Sequence, residues 1–327
     1  MLSIPTLQNI YKSYAETQRF NQKPASLYEP INYLLGLGGK SMRPTLVLLA
    51  ANLFSDRVEA ALPQAYAVEL FHNFSLMHDD IMDKSPLRRG QPTVHIRYNE
   101  NTAILSGDAM LVYSFQYIAQ TLPELLPRIL QIFTQTSIGI CEGQQLDMDM
   151  AAATTATVEE YIAMIRLKTA VLLQASLEIG AIIGGATENQ AAILGNFGLN
   201  LGISFQIQDD YLDTFGQSAQ VGKRIGGDIL ENKKTFLLLK ALELANPEQK
   251  AALEKLLATP TPTATAEEVK IAEVTALFQS LNIAQLTQNF AQHYYQLAIA
   301  DLDKLQLPAE KSTYLLDFAH YLLNRQS

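Results

Sequence analysis

The 327-residue sequence contains a single cysteine, Cys141, so no disulfide can form within the chain and the fold must hold without one. The same scarcity fits a reducing compartment and predicts a cytoplasmic protein. Positive charge is also in short supply: 24 Lys and Arg stand against 33 Asp and Glu, giving a net charge of −9 and a pI near 5.1. Such a chain lacks the basic face that phosphate-backbone binding needs, which argues against nucleic acid as a partner. Long unbroken apolar runs are missing too. The stretch from Val171 to Ala186 is interrupted by Gln174 and Glu178 and is too short to span a bilayer. No stable membrane insertion is therefore expected, although 48% of the residues are hydrophobic and the mean hydropathy is +0.04. Met1 to Tyr14 lacks a basic segment followed by an apolar run, so neither a secretory signal nor an Arg-rich transit peptide is read there.

Strict polar–apolar alternation is rare, whereas apolar residues recur at helical spacing along most of the chain. The pattern predicts a nearly all-α protein of one domain, with helices over 3–20, 44–54, 63–83, 102–120, 124–145, 157–184 and 187–213. Pro24 and Pro30 are read as ending the first helix, and Pro44 as lying in the first turn of the next. Two loops stand out, Lys84 to Glu100 with three arginines and Gly216 to Asn232 with Lys223 and Arg224, and each follows an aspartate cluster. Thr259 to Thr265 reads as a surface connector between late helices.

The aspartate clusters are Asp79, Asp80 and Asp83, and Asp209, Asp210 and Asp213. On a helix the first and last of each share a face, with the middle one about 100° round. Both clusters sit in apolar surroundings, where carboxylates are costly to bury without a cation. Carboxylate oxygens suit Mg²⁺, which completes its octahedron with substrate phosphate, and no His and Cys cluster competes for a softer metal. Magnesium held on a diphosphate is the chemistry this points to. The supporting cations are Lys40 and Arg43 beside the Gly38-Gly39 loop, Arg88 and Arg89, Lys168 next to Thr169, and Lys223 and Lys233, with Gln206 almost one turn before Asp209.

In order and spacing these residues resemble the head-to-tail trans-isoprenyl diphosphate synthases, which include farnesyl and geranylgeranyl diphosphate synthases. The resemblance rests on Gly39-Lys40-Ser-Met-Arg43-Pro44, His72, Asp79-Asp-Ile-Met-Asp83, Arg88-Arg89-Gly90, Lys168-Thr169, Phe205-Gln206, Asp209-Asp-Tyr-Leu-Asp213, Lys223 and Lys233-Lys-Thr235. It implies an all-α helical bundle of the isoprenoid synthase type around a central cavity, a homodimer, and three Mg²⁺ per active site. It also implies that isopentenyl diphosphate is condensed with an allylic diphosphate. Asp79, Asp83, Asp209 and Asp213 would hold the metals, grouped here with Asp80 and Asp210. Arg88, Lys168, Lys223 and Lys233 would bind the allylic diphosphate and stabilise it as it leaves. Gly39, Lys40, Arg43, His72 and Arg89 would hold isopentenyl diphosphate, and Lys168, Thr169 and Gln206 would face the allylic cation. Closure of the loop at 214–232 would exclude water.

Phe74 and Phe71, five and eight residues before Asp79, lie where a growing hydrocarbon would descend, and a ring there should act as a floor. An aromatic at the fifth position goes with short products in the family. Ser75 departs from the double aromatic of many farnesyl-forming members, and the first cluster lacks the two-residue insertion of the common bacterial farnesyl type. The expected product is C20, with C15 next. Three other readings leave residues unexplained. A class I terpene cyclase has no use for Lys40, Arg43, His72 and Arg89. An HD-type phosphohydrolase, suggested by His78-Asp79, would idle the second cluster. A noncatalytic partner subunit would be expected to lose aspartates, and all six are present.

Overall fold

The computed structural model describes residues 1–216 and 225–323, and helices account for most of them. In chain order they begin with α1 (Ile4–Thr17), α2 (Ala25–Gly36), α3 (Met42–Phe54) and α4 (Leu62–Met82). A two-stranded hairpin, β1 (Leu87–Arg88) and β2 (Gln91–Pro92), precedes α5 (Val94–Arg97), α6 (Glu100–Ile118), α7 (Leu126–Ala152) and α8 (Val158–Ile165). A π-helical turn, Arg166–Ala170, separates α8 from α9 (Val171–Gly184), and α10 (Glu188–Phe215) follows. The remainder is α11 (Gly227–Leu230), α12 (Phe236–Leu244), α13 (Pro247–Ala258), α14 (Ala264–Ser280), α15 (Ile283–Asp303) and α16 (Ala309–Leu323). The all-α expectation is met, and the sheet among the described residues is that hairpin alone.

The chain forms two compact units, each assembled from separate stretches. The first comprises residues 1–135, 172–195 and 307–315. Its central helix is α3, in which every residue from Pro44 to Leu53 is buried, as expected of a helix that is apolar all round. Helices α1 and α4 pack on α3, and α6 lies along α4. The approach of α9 to α3 depends on two glycines one turn apart. A Cβ on Gly180 would sit on the carbonyl oxygen of Val47, and one on Gly184 would lie 2.6 Å from that of Ala51. One expectation fails in this unit: Pro30 lies inside α2 instead of ending a helix. Removing one backbone donor costs less here than leaving Ile31 and Leu34, both buried, without their packing.

The second unit comprises residues 136–171, 196–306 and 316–327. Its core has two clusters. One gathers Tyr161, Met164, Ile203, Ile207, Phe236 and Ala291, and the other Ile229, Leu238, Leu253, Val274 and Phe278. Helix α8 starts at a capping box, where Thr157 accepts from the Glu160 amide and Glu160 accepts from the Thr157 amide. The connector expected at 259–265 is found at 259–263; Thr263 caps α14, which already includes Ala264 and Thr265. From Val158 to Gly184 the run of helix is long and apolar enough to cross a membrane by length and composition, and 56% of its apolar window is buried inside the protein, as in a core helix.

The Gly180 contact generates a stability prediction. Gly180→Ala is expected to cost about 1–3 kcal/mol, because the methyl group meets backbone that has no flexible end to move aside. Denaturant titration of the variant measures it, and an unchanged midpoint would show that α9 can draw back from α3 freely.

Candidate active site

Each compact unit holds part of the predicted site. In the first, α4 presents Glu69, His72, Asp79 and Asp80 along its last turns, and the β1–β2 hairpin reaches back to it. The hairpin turns at Arg89 (φ 54°) and Gly90 (φ 74°), both left-handed, the pattern of a type I′ turn whose twist suits a tight two-stranded ribbon. The turn separates two adjacent arginines by function. Arg88 clamps Asp80 with two bonds, Nε to Oδ2 at 2.8 Å and Nη2 to Oδ1 at 2.7 Å, over a carboxylate that is almost fully buried. Arg89 instead lies on the glycine loop, where a Cβ on Gly39 would fall 2.9 Å from its Nη2.

Asp80, grouped with the metal-binding carboxylates by its position in the sequence, therefore has both oxygens committed to Arg88. Asp79 is half-buried and Asp83 exposed at the helix end. About two turns before Asp79 on α4, His72 Nε2 accepts from Arg43 Nη1 at 3.1 Å. Arginine can only donate, so Nε2 is the unprotonated nitrogen and His72 is the neutral Nδ1–H tautomer. Burial, followed by the charges of Arg43, Arg89 and Arg88, holds its pKa well below the usual imidazole range. Glu69 is a carboxylate of the first unit that sequence reasoning missed. Burial pushes its pKa up, while Arg43, Arg89 and a hydrogen bond from Asn73 pull it down. Lys40 is exposed on the loop before α3.

The aromatic residues below Asp79 divide in role. Phe71 is 1% exposed and enclosed edge-on by Phe74 (5.3 Å) and Phe133 (5.4 Å), while Phe74 is 9% exposed and meets the His78 ring at 4.8 Å. The Ser75 hydroxyl donates to the carbonyl of His72 on its own helix at 2.9 Å. His78 faces α6, with Nε2 3.1 Å from the carbonyl of Ile104, so it does not form a ligand pair with Asp79.

In the second unit, α10 carries Gln206, Asp209, Asp210 and Asp213, and the π turn carries Lys168 and Thr169. A Cβ on Gly143 would collide with the backbone of Lys168, so this glycine lets the widened turn sit against α7. A chain of hydrogen bonds links the turn to the aspartates: Thr169 Oγ1 donates to Gln206 Oε1 at 3.0 Å, and Gln206 Nε2 donates to Asp210 Oδ1 at 2.8 Å. Tyr161 donates to the other Asp210 oxygen at 2.6 Å. The middle aspartate of this cluster is thus buried and engaged like its counterpart Asp80, with a phenol and an amide in place of a guanidinium. Asp209 and Asp213 stay half-buried. Lys168 pairs with Asp147 at 2.5 Å, and Lys233 pairs with Asp228 at 3.6 Å. Burial opposes the charge of Lys233, but Asp228, Asp210 and Asp147 outweigh it and raise its pKa. Asp213 accepts from the Asp228 amide at 2.9 Å, which ties the end of α10 to the start of α11.

Tyr161, Lys168, Thr169, Gln206, Asp210 and Lys233 line one cavity of about 80 Å³. Lys223 falls in 217–224, outside the described residues. Tyr161, Asp147 and Asp228 were not selected from the sequence. Asp228, in Gly226-Gly227-Asp228 shortly before Lys233, carried a local signal, whereas Tyr161 and Asp147 have only a distant one.

The Polyprenyl synthetase family model matches residues 24–277. This chain belongs to that family. It is 37% identical over 323 residues to a geranylgeranyl diphosphate synthase of Sulfolobus acidocaldarius, covering 96% of this chain and 95% of the relative. It is 36% identical over 324 residues to a geranylfarnesyl diphosphate synthase of Natronomonas pharaonis, covering 93% and 91%. A crystal structure of a geranylgeranyl pyrophosphate synthase superposes with a TM-score of 0.95 at 38% identity, over 100% of both chains. As a polyprenyl synthetase of the trans-isoprenyl diphosphate synthase type, the protein is a prenyltransferase with the all-α isoprenoid synthase fold.

Asp210 gives this polyprenyl synthetase a pH signature. Burial, then repulsion from Asp228, push its pKa from 3.8 up to about 7. Between those values the folded state keeps a proton that the unfolded chain has released, so stability falls as pH rises through that window and levels off above it. Asp210→Asn is expected to flatten this slope, raising the thermal midpoint of the metal-free protein more at pH 8 than at pH 5. The same rise at both pH values would assign the slope to another group.

Proposed function

We propose that this prenyltransferase condenses isopentenyl diphosphate head to tail with an allylic diphosphate (dimethylallyl, geranyl or farnesyl). The product is a short all-trans chain, C20 geranylgeranyl diphosphate in first place and C15 next. The observation that carries the two-substrate reading is the pair of arginines beside neutral His72, Arg43 hydrogen-bonded to it and Arg89 against Gly39. Ionising one allylic diphosphate, as a cyclase does, gives no use to such a pair. The name of the Sulfolobus relative supports C20.

The carboxylates proposed to hold Mg²⁺, three ions in all, are Asp79 and Asp83 together with Asp209 and Asp213. The donor set fits. Among the described residues no three or more His, Cys, Asp or Glu side chains gather into a cage, and Mg²⁺ usually takes one or two carboxylates and completes its shell with phosphate and water. When bound, the metal supplies charge neutralisation that lowers the barrier to C–O ionisation. Asp80 and Asp210 then act on the geometry, by holding Arg88 and Gln206. Arg88, Lys168 and Lys233, with Lys223, grip the leaving diphosphate. Neutral His72 donates from Nδ1 or passes on the orientation of Arg43 without adding a charge, and Lys40 supplies the exposed cation of the isopentenyl site. Thr169 and Gln206, fixed to each other, offer oxygen lone pairs to the allylic cation. The released diphosphate is the acceptor of the proton lost as the new double bond forms.

Phe74 is proposed as the chain-length floor, with Phe71 behind it as support and Ser75 turned to its own helix. We also propose a single functional domain, a cytoplasmic location and a homodimer. For the last, Ile104, Leu105 and Val112 lie exposed within about 100° of arc on α6, Val112 at 68%, a face suited to a second copy.

Incubation with Mg²⁺, isopentenyl diphosphate and farnesyl diphosphate tests the reaction: prenyl product and diphosphate should form only with both substrates. Turnover of the allylic substrate alone would sink the proposal. Asp79→Ala and Asp209→Ala should each lower kcat by about 100-fold or more. Phe74→Ala should keep activity and lengthen the product seen by chromatography, and an unchanged product spectrum would remove Phe74 from that role.

A further inference from the structure

Lys270, on α14, is 5% exposed, and its ammonium donates to two neutral oxygens, Asn232 Oδ1 at 2.8 Å and the carbonyl of Leu257 at 3.4 Å. A buried ammonium on neutral partners is costly, and burial pushes its pKa below the usual lysine range. A methionine would fill the same space at less cost. What the ammonium adds is a fixed geometry at Asn232. That residue adopts a left-handed backbone (φ 53°), and its own Nδ2 donates to the same Leu257 carbonyl at 3.1 Å. The next residue is Lys233, whose amide donates to the carbonyl of Asp228 at 2.9 Å.

The neighbour of Lys270 holds the other end of this segment. Gly226 has φ 82°, and a Cβ there would lie 2.7 Å from Ile271. From that position the Gly226 amide donates to the carbonyl of Asp213 at 2.7 Å, and the Asp228 amide to its Oδ2 at 2.9 Å. Two consecutive residues of α14 therefore grip both ends of 226–232, the segment that carries the contacts of Asp213 and Lys233.

We propose that Lys270 is a positioning residue of the reaction: by locking Asn232 in its left-handed conformation it aims Lys233 at the leaving diphosphate. The proposal rests on the reading of Lys233 as a diphosphate ligand. Its support in this structure is that a helix bearing none of the predicted site residues spends a buried charge on the residue next to Lys233.

The test compares Lys270→Met, Asn232→Gly and Lys233→Met in the full chain, by calorimetric titration with inorganic diphosphate and Mg²⁺ and by KM for each substrate. Lys270→Met should weaken diphosphate binding and raise the allylic KM by about tenfold, with the isopentenyl KM unchanged. Asn232→Gly permits the left-handed backbone without strain but lacks the side chain that locks it there, and it should show the same selective loss. The double variant should be no worse than either single one. Should Lys270→Met fail to fold, Asn232→Gly decides alone. If Lys233→Met weakens diphosphate binding and neither latch variant does, the latch is wrong and the reading of Lys233 stands. Equal rises in both KM values, with a lower thermal midpoint, would make Lys270 merely structural and overturn the proposal. If Lys233→Met leaves diphosphate binding unchanged, the reading of Lys233 falls, and the proposal with it.

Discussion

The two-bonded pair between Arg88 and Asp80 is what allows α4 to end in three acidic residues. A helix that buries one face cannot leave a bare carboxylate on it, because desolvation then favours either the protonated acid or an unfolded turn. Arg88 satisfies both oxygens at once, and it reaches them only because the hairpin reverses the chain at Arg89 and Gly90. With the middle carboxylate settled inward, Asp79 and Asp83 are left toward the open side. The second cluster solves the same problem differently. Tyr161 and Gln206 donate to Asp210 and pull its pKa down, but burial and the repulsion of Asp228 outweigh them and push it up to about 7.

Much of the fold was legible because its signals are local. Apolar spacing located the helices of 42–54, 62–82 and 188–215 to within a few residues, and the turn residues at 84–92 marked the hairpin region. The aspartates and their neighbouring cations were legible for the same reason, being short motifs on single elements. The partners of those motifs were not. Asp147 meets Lys168 across 21 residues of sequence, Tyr161 meets Asp210 across 49, and Glu69 sits beside Arg43 and Arg89 from another element. No spacing rule reaches that far, since such pairs arise from packing. Local rules also misjudged Pro30, where tertiary burial outweighed one missing backbone bond.

Sequence position likewise treats Phe71 and Phe74 as equals on one helix face, and packing separates them. Phe71 is closed in by other rings, so shortening it opens a void in the first unit. Phe74 keeps some exposure and is braced by His78, which is itself held to α6. The geranylgeranyl and geranylfarnesyl relatives differ by one five-carbon addition in the products they are named for while matching this chain about equally well. Overall similarity is thus a blunt guide to product length, and the contacts of single rings carry the distinction.

The internal pairing of the cations has a consequence for turnover. Lys168 holds Asp147, Lys233 holds Asp228 and Arg88 holds Asp80 in the ligand-free protein. A diphosphate that engages these groups exchanges one partner for another instead of meeting bare charge, so its net affinity is a difference between two favourable states. Under the proposed roles, the same carboxylates would reclaim the cations once the bond to carbon has broken. In the proposed reaction, departure of the inorganic product would thereby be assisted from within, because each cation has a carboxylate of its own to return to.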